Sequence, residues 1–577
     1  MLTKVSDIIA QTLQYVGVKR VYGIVGGGIN ALASSLSSST SIRFVQMRNE
    51  ESAGFAAGAD AAMNKHLAVC SGAGNSGSVH FLNGIYDAHR NGSPVLLILS
   101  DRNQLSPGRT VTYNVDLKSS FKACSCFCEY VRQASDVEHL LGLAMQTSIS
   151  AKGVSVLIIP EDLFFDEIEF DRIEFFPRYS DPVIIPSEDE LHKMAEMINN
   201  ADHIVIYGGS GCENAHDEVM ALSEKIKAPV GWAYRGKEYL DYGNTYPVGM
   251  NGLLGDQSCI QAFDECDLLL LLGTDFAFST FYPDDTTIIQ IDIKGEHLGR
   301  RHAITFGAVG DIKPSLELLL PLIEERDEHV FADRSTDLYH SVRKHLQKLT
   351  HQNNDHKEGI YPEYLSGLIN RLAKTDALIV ADIGTPWAYM AKYIDSFGTR
   401  KLYHSCLHGT MANALPSSIG MQLSSPEKQV IAMCGDGGFA MLMGEMLTLI
   451  QEKLPVKLIV FNNGKLDFVA LEMKTEGLID VSTDLKNPNF AKVAQAAGMK
   501  GIRVEDPRLL ESSLLEAFNF NGPVLVDVVV NPDSLLMPPE ISLGMAYDFS
   551  KYLWKQFLTG DEKVLWKLIK SNFPRQL

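Results

Sequence analysis

Short runs of apolar, largely β-branched residues recur along the whole chain. RVYGIV begins at residue 20, PVLLIL at 94, VSVLIIP at 154, HIVIYGG at 203 and DLLLLLG at 267. IIQIDI follows at 288, ALIVADIG at 377, QVIAMCGDG at 429, VKLIVFNN at 456 and GPVLVDVVV at 522. Short apolar runs of this kind read as strands buried on both faces. Longer amphipathic stretches separate most of them, so the pattern predicts an α/β protein of mainly parallel sheets covered by helices on both sides. Two breaks interrupt it, one over 175–188 with Pro177, Pro182 and Pro186, the other over 348–359 (KLTHQNNDHKEG). They predict three doubly wound domains, at 1–180, 183–345 and 358–530, followed by a tail at 531–577. No short-period repeat is visible, which argues against a solenoid.

Composition narrows the class. Of 577 residues, 45% are apolar and 21% charged, the balance of a globular protein rather than a disordered one. The net charge of -20 argues against a nucleic-acid partner. No run of 18 apolar residues occurs, so no membrane-spanning helix is expected. Asp7 interrupts the apolar stretch near the start, unlike a secretory signal. Nine cysteines, an odd number, suggest reduced thiols in the cytoplasm. Cys124, Cys126 and Cys128 lack a nearby second Cys/His pair and read as packing positions rather than metal ligands.

The most specific chemistry lies in the third domain. Strand QVIAMC runs into Gly435-Asp436-Gly437-Gly438, then an apolar helical stretch, then strand KLIVF ending in Asn462-Asn463. Asp436 and Asn463 therefore sit at the carboxyl ends of two strands of one β-α-β unit, the edge where open α/β sheets bind ligands. The glycines allow a diphosphate close to the backbone, with a helix N-terminus facing it. A carboxylate and an amide oxygen are hard ligands suited to Mg²⁺. Such a GDG on one strand end with NN on the next resembles the thiamine diphosphate (ThDP) enzyme family. The resemblance implies that Asp436, Asn463 and the backbone carbonyl of Lys465 hold the metal. Asp382-Ile383-Gly384-Thr385 looks like the family's first cofactor loop, and His408-Gly409-Thr410-Met411 like the loop whose methionine bends the cofactor. Asn49-Glu50-Glu51 opens a segment similar to the family's glutamate motif. Glu50 would then hydrogen-bond the aminopyrimidine ring, with Glu51 as its surface neighbour. The family places this glutamate and the metal site on different subunits, so the resemblance implies at least a homodimer and commonly a homotetramer.

The middle domain points to a second cofactor. Gly209 and Gly211 follow strand HIVIY, although the third glycine of a dinucleotide fingerprint is missing. Arg235, the turn with Asn251, Gly252, Leu253 and Leu254, the loop Thr274-Asp275-Phe276, Asp292 and Asp311 each follow or adjoin an apolar strand. Their order is similar to the FAD-binding middle domain of pyruvate oxidases and acetohydroxyacid synthases. Asp292 would accept from the adenosine ribose, or else merely end its strand.

Across nearly the whole chain the resemblance is closest to the pyruvate:quinone oxidoreductase branch. It implies decarboxylation of pyruvate, or a similar 2-oxo acid, to acetate and CO₂, with electrons passing to FAD and then to ubiquinone. It also implies a cytoplasmic protein peripheral on the inner face of the cell membrane. The tail fits an amphipathic anchor for an anionic lipid surface, or equally a helix packed on its own domain: Phe549, Leu553 and Phe557 share a helical face, with Trp554 and several lysines alongside. Four departures from the family stand out. Asn49 replaces a usual His, Ser76 a Pro, Thr112-Tyr113-Asn114 a Phe-Gln-Glu, and Asp467 a Gly, while the pocket aromatic Phe468 is kept. Two other readings share the motifs: an acetolactate-synthase-type carboligase with structural FAD, and a catalytically silent ThDP-fold regulator.

Overall fold

A computed structural model describes residues 2–74, 76–102, 115–178, 180–351 and 359–534. Three six-stranded sheets, each wholly parallel, carry the chain. Helices cover both faces, the α/β arrangement expected from the apolar runs. The first sheet is built from Arg20–Ile24, Arg43–Gln46, Ala68–Gly72, Val95–Asp101, Phe127–Tyr130 and Val154–Pro160. The second uses Ile204–Gly208, Val230–Trp232, Pro247–Gly249, Leu268–Leu272, Thr287–Asp292 and Phe306–Val309. Leu378–Ala381, Lys401–His404, Val430–Gly435, Lys457–Asn462, Lys500–Val504 and Val524–Val529 form the third. Numbered in chain order within each sheet, the first and third share the order 2-1-3-4-6-5, whereas the second runs 3-2-1-4-5-6. Each order reverses beside its first strand, and that switch point opens a crevice at the carboxyl ends of the strands.

All ten apolar runs contain strands, and the rest of the strands come from weaker signals. Arg43–Gln46 and Phe127–Tyr130 are edges of the first sheet, and Lys401–His404 and Lys500–Val504 edges of the third. An edge strand packs less of itself, so its sequence tolerates polar residues that mask the pattern. A small antiparallel pair, Leu2–Lys4 with Glu167–Glu169, stands apart from the sheets.

The apolar stretch after Gly435 does not form one helix. It is split into Asp436–Leu442, a 3₁₀ turn Met443–Glu445 and a helix Met446–Gln451. The turn carries the buried Glu445, which reaches the first unit.

Cores are shared between units. One cluster joins Ala53, Ala56 and Ala57 of the first unit to Ala414, Leu415 and Ile419 of the third. Helices Glu50–Asn64 and Ala414–Ser424 cross there so closely that a Cβ on Gly420 would lie 2.0 Å from the Ala56 carbonyl oxygen.

Candidate active site

Four loops converge at the carboxyl edge of the third sheet. Val430–Gly435 pairs directly with Lys457–Asn462, so Asp436 and Asn463 leave adjacent strands side by side. Glycines make the convergence possible. A Cβ on Gly438 would lie 2.7 Å from Asp382 Oδ2 and 3.0 Å from the Ala412 nitrogen. One on Gly437 would meet Leu466 at 2.7 Å and the Met411 methyl at 3.3 Å. Gly384 and Gly409 hold left-handed φ angles of 124° and 79°, turning the loops at Ile383–Thr385 and Gly409–Met411 toward the same place. Asp382 is fully buried. Burial pushes its carboxyl up to about 7, against the pull of the Ala414 and Gly435 amides.

Asp436 is buried and surrounded by donors. Its Oδ2 accepts the Gly464 N–H (2.7 Å) and the Asn487 amide (2.8 Å), and its Oδ1 accepts the Gly437 N–H (2.8 Å). Burial raises its pKa, and these hydrogen bonds oppose the rise. Asn463 Oδ1 accepts the Lys465 N–H at 3.0 Å. The Lys465 ammonium is committed to Asp480 at 2.6 Å, leaving its backbone oxygen as what it can offer a cation. Asp436 and Asn463 leave adjacent strand ends, and with the Lys465 carbonyl they would offer a hard divalent ion such as Mg²⁺ oxygen donors only. Asn487 and Asp480 were not signalled by the sequence, for neither belongs to a spaced motif. Asp467 and Phe468 open the helix Asp467–Thr475 beside these donors, both half-buried. Burial pushes Asp467 up to about 7, with Lys474 and Lys465 opposing.

In the first unit, Glu50 and Glu51 open the helix Glu50–Asn64. Asn49 serves as its N-cap, accepting the Glu51 N–H at 2.9 Å, a role suited to the short amide found there. Successive helical residues point about 100° apart, so the two carboxylates diverge. Glu50 Oε2 lies 3.0 Å from His80 Nδ1, and its other oxygen lies against Gly77, where a Cβ would be 2.7 Å away. Ser76 opens the short helix that carries both of these partners. Glu51 is not a surface neighbour. It is half-buried and accepts the Asn83 amide at 2.6 Å, because Asn83 links it to the third unit. Asn83 also donates to Thr410 Oγ1 (2.9 Å) and meets His408 Nε2 (2.8 Å), tethering the Met411 loop from the first unit.

The middle sheet opens its crevice between Ile204–Gly208 and Leu268–Leu272. Gly209 and Gly211 lie there, packed on the loop from Gly273. A Cβ on Gly211 would sit 2.6 Å from the Gly273 Cα, so these glycines serve loop-to-loop contact. Thr274 is buried, Asp275 pairs with Arg300 and Arg301, and the Phe276 ring joins the core at 5.1 Å from the Tyr207 ring. Asn251 is buried, Gly252 turns with φ 97°, Leu253 is exposed and Leu254 buried. Asp292 ends its strand and accepts the Lys294 N–H at 2.9 Å, while Asp311 accepts the Ile184 N–H at 2.8 Å. Both carboxylates are thus engaged with nearby backbone, although each stands at a strand's carboxyl end. Arg235 follows Val230–Trp232, and its charge acts on Asp87, His404 and Cys406, so all three units meet around it. Tyr234 OH, Trp387 Nε1 and one oxygen of Asp87 are buried there without partners among the described residues. Such unpaired buried polar atoms are donors and acceptors that a bound polar heterocycle such as a flavin would satisfy. Thr112-Tyr113-Asn114 and the tail from 535 lie outside the described residues.

Fold and site together define an α/β protein of the ThDP-enzyme type, with a sheet of order 3-2-1-4-5-6 lying in the chain between two of order 2-1-3-4-6-5. Comparison with known proteins agrees on the family. The profile of the thiamine pyrophosphate enzyme N-terminal TPP binding domain matches residues 3–120, that of the central domain 191–319, and that of the C-terminal TPP binding domain 382–528. The chain is 32% identical to the provisionally named thiamine pyrophosphate-containing protein YdaP of Bacillus subtilis, over 97% of each chain. It is 26% identical to pyruvate oxidase of Lactiplantibacillus plantarum, covering 94% of this chain and 92% of that one. It is also 26% identical to the acetolactate synthase large subunit of Corynebacterium glutamicum, covering 96% and 91%. The protein belongs to the thiamine pyrophosphate enzyme family.

Proposed function

We propose that this chain is a ThDP-, Mg²⁺- and FAD-dependent oxidase of pyruvate or a similar small 2-oxo acid. The observation that carries the reading is the meeting of Asp436, Asn463 and the Lys465 carbonyl with the glycine-turned loops at Ile383–Thr385 and Gly409–Met411. Those oxygens would hold Mg²⁺, and the glycine backbones would face the diphosphate. When bound, ThDP would supply a nucleophilic ring carbon and a cationic ring able to accept the electrons of the bond to the departing CO₂. Glu50 would hold a proton at the aminopyrimidine ring, and the carboxylate suits that task because it accepts and returns protons without leaving the helix start. Met411, whose methyl lies by Gly437, would support the cofactor, and Phe468, in the helix beside the metal donors, would line the substrate pocket. Pyruvate and water would give acetate, CO₂, two protons and two electrons.

FAD is part of the proposal. Its support is the 3-2-1-4-5-6 sheet, the polar atoms left unpaired around Arg235, and the likeness to a pyruvate oxidase. Electrons would leave the flavin for ubiquinone, with the basic tail binding an anionic lipid surface on the cytoplasmic side of the cell membrane. The smallest active unit would be a homodimer, assembling to a tetramer. The equal likeness to an acetolactate synthase favours a second reading, a carboligase in which the flavin is structural. One experiment separates the two. Pyruvate added anaerobically to the protein with ThDP and Mg²⁺ should bleach the flavin band near about 450 nm. A carboligase would leave the flavin oxidised and accumulate acetolactate. Flotation with anionic liposomes, with and without residues 550–577, tests the anchor.

A further inference from the structure

A buried carboxylate of the third unit fastens the start of the helix that carries Glu50. Glu445 is 1% exposed and lies in the turn that splits the helical stretch after Asp436. Its Oε1 accepts two backbone N–H groups from the first unit, those of Arg48 (2.9 Å) and Asn49 (3.0 Å). Its Oε2 accepts the Thr448 hydroxyl at 2.6 Å. Neighbouring contacts clamp the same segment: Arg48 donates to Gln451 at 2.7 Å, and Arg43 pairs with Glu452. The Asn49 side chain is turned the other way, capping the Glu51 N–H.

We propose that Glu445 is the positioning residue for Glu50: by holding the two amides that precede it, Glu445 aims the Glu50 carboxylate. The inference rests on the reading of Glu50 as the group that activates bound ThDP. The amides need an acceptor at a set distance rather than a negative charge. A glutamine reproduces that acceptor, and its amino group can donate to the Thr448 oxygen. An aspartate keeps the charge but draws the oxygen back by about 1.5 Å, one carbon–carbon bond.

The test uses full-length protein carrying Glu445→Gln, Glu445→Asp or Glu445→Ala, with Glu50→Gln as reference. Two signals are read: amide hydrogen exchange over residues 43–52 without ThDP, and hydrogen–deuterium exchange at the reactive ring carbon of bound ThDP without substrate. A misplacement of about 1 Å at a catalytic group costs on the order of a hundredfold. Glu445→Asp and Glu445→Ala should therefore speed amide exchange at 48–49 and slow ring exchange by about ten- to a hundredfold, at near-normal ThDP affinity. Glu445→Gln should restore both. A merely structural role would lower stability and cofactor affinity together instead. Wild-type ring exchange in Glu445→Asp, or failure of Glu445→Gln to rescue, overturns the inference, and this pair decides even where the alanine variant does not fold. If Glu50→Gln slows ring exchange and the Glu445 variants do not, only the positioning role is lost. If Glu50→Gln itself leaves ring exchange unchanged, the role of Glu50 falls, and this inference with it.

Discussion

Asp436 is the residue on which the third-sheet edge turns. Its carboxylate collects amides from Gly437, Gly464 and Asn487, so it organises three loops before any ligand arrives. Asp436→Ala should abolish ThDP retention, because the proposed Mg²⁺ site would lose its carboxylate. Binding of the proposed flavin in the middle unit should be kept. Unchanged ThDP affinity by calorimetry would remove the metal assignment. Asp87 gives a different kind of prediction. Burial pushes it up to about 7, against donation from Ser405 and Asn91 and the Arg235 charge. A carboxyl raised in the folded state stabilises fully below the ordinary carboxylate range of about 4 and loses that contribution as pH rises through about 7. Asp87→Asn removes the cost of ionising it. The melting temperature of the variant should therefore gain on the wild type between about pH 4 and 7 and level off above, an effect of a few kcal/mol at most. A difference independent of pH would show that Asp87 ionises freely in the folded protein.

At the scale of elements, the crossing of Glu50–Asn64 with Ala414–Ser424 sets how the first and third units meet. Gly420 faces the Ala56 backbone, and Gly54 likewise faces Gly84, where a Cβ would lie 2.9 Å from backbone carbon. Backbone cannot rotate away as a side chain does. Gly420→Ala must therefore part the two helices, and overpacking of this kind costs about 1–3 kcal/mol. Calorimetry should show a melting point several degrees lower. An unchanged melting point would mean that the helices have slack. Because the same helix begins at Glu50, the variant should also lose activity beyond what its stability explains.

The whole molecule raises the question of which subunit completes which site. Glu51 reaches the Met411 loop of its own chain through Asn83, and the helix turn sends Glu50 elsewhere. Glu50→Gln and Asp436→Ala should each reduce activity at least about 100-fold. If one chain's Glu50 serves the other chain's metal site, a hybrid dimer carrying one variant in each subunit keeps one intact site of two. Random reassortment of equal amounts makes half the dimers hybrid, so about a quarter of wild-type activity should return. No recovery after mixing and reassembly would place both residues in a site within one chain.

What could be read from the chain alone was whatever local chemistry repeats. Inner parallel strands are apolar on both faces, so LLLLL at 268–272 and VLLIL at 95–99 announce themselves. GDG and NN fall on adjacent strand ends, which a β-α-β unit makes foreseeable. Tertiary structure decided the rest. Edge strands such as Lys500–Val504 carry too few buried positions to leave a pattern. The shared order of the first and third sheets is a property of pairing between strands far apart in the chain. Glu51 changes from a surface residue to a tether, and Glu445 from one acid in an apolar stretch to the holder of amides 397 and 396 residues away. Hydrogen bonds across such separations obey no local period. They exist only once packed helices bring the two units within reach of each other.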